Sequence, residues 1–257
     1  MIGFLSLFHR EIARFLKVLV QTIVTPAVSS ALYLLVFGVS LGSTVQSQNG
    51  VDYLAFLIPG LMMMGLLNNA FQNSSSSIVN SKYTGELEDL RVVPLSHHQI
   101  IIAMGLAAMV RGLVVALVTF VVGSVFYAIV HGGFIGLHSV FELIYFIVTG
   151  GLVFGMLGLS AAFYAKSFDQ LSAVSAFILL PLTYLGGVFI SIQNLSPFWQ
   201  KVSTLNPLLY FINGLRHAIL GVSDIPIGQS MLISALGLVM FYVLSLFALK
   251  RGNFHRW

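Results

Sequence analysis

Polar and apolar residues segregate into blocks along this chain instead of alternating. Six long apolar blocks, at about 18–41, 53–79, 100–130, 141–164, 171–192 and 229–249, are divided by short polar breaks. A helix that crosses a bilayer takes about 20 residues at about 1.5 Å rise each. Every block is long enough, so the pattern predicts an all-α membrane protein with six transmembrane helices. Ahead of the first block, Phe4, Phe8, Ile12 and Phe15 recur at helical spacing, and Arg10, Arg14 and Lys17 form a basic stripe. That combination predicts an amphipathic helix over residues 1–17, lying in the inner membrane interface and able to offer a docking surface to a cytoplasmic partner.

Composition agrees with the pattern. Residues with apolar side chains make up 58% of the 257 and charged ones only 8%, against a globular norm of about 45–50% apolar. The mean hydropathy is +0.96. The chain has no cysteine, which excludes a disulfide framework, thiolate catalysis and a cysteine metal site. Its net charge of +4 is spread without a dense basic patch, so it reads as an orientation signal and not as a nucleic-acid surface. Arg10, Arg14, Lys17, Lys82, Arg91, Lys166, Lys250, Arg251 and Arg256 fall on one side of the six blocks; only Lys201 and Arg216 fall on the other. The positive-inside rule then places both termini in the cytoplasm, with residues 43–52 and 131–140 outside. One membrane domain is expected over 1–257, with spans over 18–249 and a cytoplasmic tail at 250–257. The first block is too long for a cleavable signal peptide.

Punctuation within the blocks is informative. Pro26 lies in the first, Pro59-Gly60 is expected to interrupt the second, and Pro181 the fifth. Gly151, Gly155, Gly158 and Ala162 line one face of the fourth, and Gly38 and Gly42 repeat the small-residue spacing in the first. Close packing within one protomer is the expected use, with a dimer seam as the alternative.

Polar groups in spans are the default functional candidates. The second span ends in Asn68, Asn69, Gln72 and Asn73 followed by four serines. This is too polar for a lipid-facing helix: it lines a substrate path or makes interhelical hydrogen bonds. Arg111 lies inside the third span and needs a partner, water or a route to the interface. His131, His138 and Glu142 are the one grouping with outer metal-ligand chemistry, but histidines without an ordered motif are ordinarily incidental, and no metal site is expected. The loop from Lys82 to Ser96 holds Glu86, Glu88 and Asp89 near the start of a short helix whose Leu87 and Leu90 share an exposed face, ended by Pro94. It is either a solvated connector or a knob for a partner's groove.

The chain resembles the ABC type-2 transporter permeases, the membrane subunits of ATP-driven exporters, over nearly its whole length. The resemblance rests on Phe56-Leu57-Ile58-Pro59-Gly60-Leu61; on Glu88-Asp89-Leu90-Arg91-Val92-Val93-Pro94-Leu95-Ser96 leading into a span with Arg111-Gly112; and on Gly186-Gly187-Val188-Phe189, Leu195-Ser196-Pro197-Phe198-Trp199, Asn206-Pro207-Leu208 and Arg216. It departs at Ile190-Ser191, where members often carry a proline. The resemblance implies that the N-terminal amphipathic helix is an interface helix carrying Phe4, Phe8, Arg10, Ile12, Arg14, Phe15 and Lys17. It implies that Glu86, Leu87, Glu88, Asp89, Leu90 and Arg91 form the coupling helix that seats in the ATPase subunit. It further implies that residues 193–221 form outer helices re-entering the membrane between spans five and six. The stretch 208–220 is indeed too short and too charged to span.

No lysine follows a glycine, so the chain has no Walker A sequence. ATP and Mg²⁺ would be held by a separate ABC ATPase, expected in two copies, and this chain binds no cofactor itself and is not by itself an enzyme. A second copy of the chain would complete a twelve-span pore in a bacterial inner membrane. The implied function is efflux of a drug, lipid-linked or polysaccharide-like substrate, with an amphipathic or hydrophobic character favoured. The rival readings are a secondary transporter and a structural scaffold. A secondary transporter would use carboxylates at mid-membrane, and no block carries one. An intramembrane enzyme would need a constellation of reactive side chains that the blocks do not contain.

Overall fold

The computed structural model describes residues 2–40, 50–87 and 93–252. Every regular element among them is helical. Helix α1 (Ile2–Leu16) leads into α2 (Leu19–Tyr33), which continues as a π-helical turn over Leu34–Ser40. Then come α3 (Tyr53–Thr84), α4 (His97–His131) and α5 (Val140–Tyr164). The fifth span is composite: α6 (Phe168–Val174), a π turn (Ser175–Leu179) and α7 (Leu180–Leu185). The short helices α8 (Pro197–Thr204) and α9 (Pro207–Leu220) precede α10 (Ile227–Arg251). Six segments are long and apolar enough to cross a membrane, as the blocks predicted. Spans two and three extend beyond their blocks, to Thr84 and from His97. The fifth ends at Leu185, seven residues before its block does, because Gly187 takes a positive φ of 82° and turns the chain.

Helix α3 is the axis. It packs against α4, α5 and α9, and α5 carries α10 on its other side. Asp52 caps α3 by accepting from the amides of Leu54 and Ala55. Its interruption at Pro59-Gly60 is not observed: α3 runs unbroken through Pro59. Proline in a helix forfeits one backbone bond, and helices buried among neighbours tolerate that loss. Gly60 is spent instead on contact, since a Cβ there would lie 2.8 Å from the carbonyl oxygen of Val188. Pro181 does mark an irregularity, the π turn just before it, one of the recognised causes of a kink.

The glycine face of α5 serves packing within the chain: Gly151 meets Met109, Gly155 meets Ala108, and Gly158 lies against the backbone of Phe71. Gly38 packs on Leu54, while Gly42 lies outside the described residues. The main core runs along α3, α5 and α9, and a second cluster at the end bearing the termini joins Leu7, Ile78, Leu87, Ile100 and Leu249.

Candidate functional site

Between α2, α3 and α4 the bundle leaves a polar cavity of about 220 Å³. Its walls are Gln21, Thr25, Pro26, Ser29, Ser30 and Tyr33 from α2, Leu61, Met64, Gly65, Asn68, Asn69 and Gln72 from α3, and Arg111 and Thr119 from α4. Gly112 explains the placement of Arg111. A Cβ at Gly112 would lie 2.7 Å from the carbonyl oxygen of Leu66, so the two backbones nearly touch there. The adjacent Arg111 is thereby held beside the amides of α3. One side of the cavity is latched by a 3.2 Å hydrogen bond between the hydroxyls of Ser30 and Thr119. Helix α4 begins at His97, earlier than the block implied, so Arg111 lies well inside it on the cavity wall, with its Nε buried without a hydrogen-bond partner.

Toward the opposite end of the bundle the cavity meets rings. Tyr33 is 5.5 Å from Phe189, which also neighbours Phe37 at 5.1 Å and Tyr184 at 5.4 Å. Tyr53 and Phe56 are buried, and the Tyr53 hydroxyl donates to the carbonyl of Phe189 at 3.0 Å.

The expected path residues therefore divide. Asn68, Asn69 and Gln72 reach the cavity; Asn73 does not. Asn73 is buried against α1, where the Arg14 guanidinium donates to its carbonyl oxygen at 2.6 Å, to its Oδ1 at 3.2 Å and to the Ser76 hydroxyl at 3.2 Å. Arg14 is thus turned into the bundle and is not part of an outward basic stripe. Its partner is Glu11, which is also bonded to Arg10 at 3.1 Å and is buried. The buried face of α1 is Leu7, Glu11 and Phe15, with Phe4 and Phe8 packed beside it; Ile12 is half-buried and Lys17 exposed. Sequence reading passed over Glu11, although a carboxylate flanked by Arg10 and by Arg14 three residues on was a visible signal.

At the end of α3, Lys82 is buried and donates to the carbonyls of Ala162, Phe163 and Ala165 at 2.8, 2.7 and 3.0 Å. It closes the C-terminus of α5, where carbonyls lack helical partners and the dipole favours a cation. Nothing in the pattern beyond its place among basic loop residues marked it. After the Gly85 cap, Glu86 is exposed, but Leu87 is fully buried in the chain's own second cluster, its amide bonded to the Ser81 carbonyl at 3.1 Å. This corrects the expectation of an exposed Leu87: the αL turn at Gly85 folds it back under α3. Glu88, Asp89, Leu90 and Arg91 lie outside the described residues.

Helix α9 is almost wholly buried and has fourteen residues. Its Arg216 stacks over Phe56 at 3.7 Å, donates to the Gly187 carbonyl at 2.6 Å and lies 3.8 Å from Asp224. Asp224 in turn accepts from the Ser191 hydroxyl at 2.5 Å and the Ile192 amide at 3.2 Å. Asn213 adds bonds to the Asp224 amide, the Ile225 carbonyl and Ser230. Burial pushes the Arg216 guanidinium down to about 10 and Asp224 opposes that, so it stays cationic at neutral pH.

His131, His138 and Glu142 do not assemble as a metal group. His131 faces Asp52 at 3.5 Å, whereas Glu142 takes His217 at 2.6 Å and His138 meets His217 edge-on. Among the described residues no group of three His, Cys, Asp or Glu is placed to hold a metal.

The cavity is lined mainly by polar side chains, is partly open, and has no His, Asp or Glu among its walls. Comparison with known proteins identifies the family. A family model described as "ABC-2 type transporter" matches residues 3–220. The chain is 36% identical to the inner membrane transport permease YadH of Escherichia coli (strain K12), covering 96% of this chain and 94% of that protein. It is 23% identical to nodulation protein J of Neorhizobium galegae, over 98% of this chain and 94% of that one. A probable multidrug ABC transporter permease, YbhR of Escherichia coli (strain K12), matches at 26% over 63% of this chain and 42% of its own length.

Proposed function

This chain belongs to the ABC-2 type transporter family, multi-pass transport components of the inner membrane, and on that premise we propose that it is the permease of an exporter driven by ATP hydrolysed on a separate subunit. The observation that carries the reading is the polar chamber lined by Asn68, Asn69, Gln72 and Arg111 inside a six-span bundle. Polar side chains at such depth are costly and persist where they serve a path. The aromatic rings of Tyr33, Phe37, Tyr184 and Phe189 at one end of the chamber favour an amphipathic or hydrophobic substrate, a drug-like or lipid-linked compound. Two copies of the chain and two ATPase subunits make the working complex, with both chain termini in the cytoplasm.

Helix α1 is the interface helix, and the segment after Gly85 is the coupling element. Because Leu87 is buried in the permease itself, Leu90 is the remaining apolar candidate for the ATPase contact in the sequence Glu86-Leu87-Glu88-Asp89-Leu90-Arg91. Helices α8 and α9 are the re-entrant pair.

The test co-expresses the chain with its candidate ATPase in lipid nanodiscs and screens amphipathic compounds for stimulated ATP hydrolysis. Replacing Asn69 and Gln72 by Ala should change which compounds stimulate, with the complex still assembled. Leu90→Asp should detach or uncouple the ATPase, since a carboxylate would be buried without a prepared partner, whereas Glu86→Gln should be mild, an exposed ion pair being worth about 0–1 kcal/mol. Undiminished coupled hydrolysis in Leu90→Asp would move the energy input elsewhere. Orientation is checked on cysteines introduced at Ser47 and Gly136, which have no native cysteine to compete with; labelling from outside intact cells is expected there and not at Ser81.

A further inference from the structure

Among the described residues, Arg111 is a cation without a counter-charge. Its Nε is buried and unbonded. Among the described residues no carboxylate pairs with it, and the acids are committed elsewhere: Glu11 to Arg10 and Arg14, Asp52 to the start of α3 and His131, Glu142 to His217, Asp224 to Arg216. Glu86 and Asp169 lie at helix ends away from the cavity, and no acidic residue is among its walls. The same cavity is lined by groups that can donate to an oxyanion, the amides of Asn68 and Gln72, the hydroxyls of Thr25 and Ser29, and the Asn69 amide, which also donates to the Gly65 carbonyl at 3.0 Å.

We propose that this cavity binds the anionic head of an amphiphile, a phosphate or carboxylate, with Arg111 as the counter-charge and the Leu61, Met64 and Tyr33 side of the wall against its apolar part. The proposal rests on the permease reading and narrows it from amphipathic substrates in general to anionic ones. A guanidinium offers a planar fork that matches both heads, and in a low-dielectric site the pairing is strengthened while an unpaired cation is disfavoured. A neutral or cationic drug would leave Arg111 as it stands, uncompensated.

The full-length chain in phosphatidylcholine nanodiscs, without any ATPase, is titrated with dodecyl phosphate, dodecyltrimethylammonium and inorganic phosphate, and binding is read by native mass spectrometry. Dodecyl phosphate should bind the wild type and lose about tenfold or more in Arg111→Gln, while Arg111→Lys, which keeps the charge but not the planar fork, should fall between the two. Asn69→Asp supplies an internal carboxylate on the same wall and should abolish the preference for the phosphate head with unchanged or raised melting temperature. It decides the matter even if Arg111→Gln fails to assemble. The proposal is overturned if dodecyltrimethylammonium binds as well as dodecyl phosphate, if both variants keep the phosphate preference, or if inorganic phosphate competes at the same concentration as dodecyl phosphate, which would leave a free-anion site with no role for the tail. Because no ATPase is present, loss of charge preference sinks this inference alone, and failure of any ATPase to couple sinks the permease reading alone.

Discussion

Arg216 and Arg111 both lie inside this bundle, and they differ in whether a counter-charge faces them. Arg216, on α9, is fully enclosed and engages a backbone carbonyl, the Asp224 carboxylate and the face of Phe56. Arg111, on α4, faces a partly open chamber of neutral amides and hydroxyls with no carboxylate beside it among the described residues; a buried Nε without a hydrogen-bond partner is common to both arginines. Lys82 belongs with Arg216, since its ammonium is surrounded by three carbonyls at the end of α5. Buried charges are costly to leave alone and tolerable when enclosed by partners. The two enclosed cations therefore act as struts, joining α9 to the turn at Gly187 and α3 to α5. The open one contributes little to holding the fold and is available to something that enters from outside.

That contrast breaks most readily at Arg216. Arg216→Met should cost about 3–5 kcal/mol, because it strands Asp224 in the interior; the expected readout is loss of the monodisperse species in detergent size exclusion or a large fall in melting temperature. Adding Asp224→Asn should restore part of the loss, as coupled partners do. A single variant that melts like the wild type would show that the network is incidental. Lys82→Met should have an intermediate effect, about 1–3 kcal/mol for carbonyls left unsatisfied, seen as a lowered melting temperature and greater protease sensitivity between α5 and α6. The smallest effect is expected at the open cation: Arg111→Gln should melt within about 1 kcal/mol of wild type, the range of substitutions outside the packed core. A destabilisation as large as that of Arg216→Met would erase the distinction and make Arg111 a third strut.

The same contrast shows how far the sequence could be read. Arg111 stood out because a cation eleven residues into an apolar block has no local explanation. Asn68, Asn69 and Gln72 stood out because amides clash with a lipid-facing helix. Asn73 shares their chemistry and is one position beyond Gln72, yet it belongs to the α1 contact. Helical phase relative to a neighbour that is distant in the chain decided that. Arg14 was legible as a positive charge but not as a ligand of Asn73 and Ser76, 59 residues and more away. Leu87 was read as an exposed anchor because its spacing to Leu90 suggested one face, whereas the left-handed turn at Gly85 returns it to the core.

By itself the sequence determined the medium, the number of spans, the all-helical class and the family resemblance. These follow from block length and polarity, which a bilayer reads one segment at a time because each span satisfies its own backbone hydrogen bonds. Only the tertiary structure decided which polar groups are partners and which are left open. That choice depends on the approach of α4 to α3 at Gly112 and Leu66, on the close seating of α5 at Gly158 against Phe71, and on the burial of α9 beneath the turn at Gly187. Contacts between residues far apart in the chain are set by packing shape, and periodicity along the chain carries no record of them.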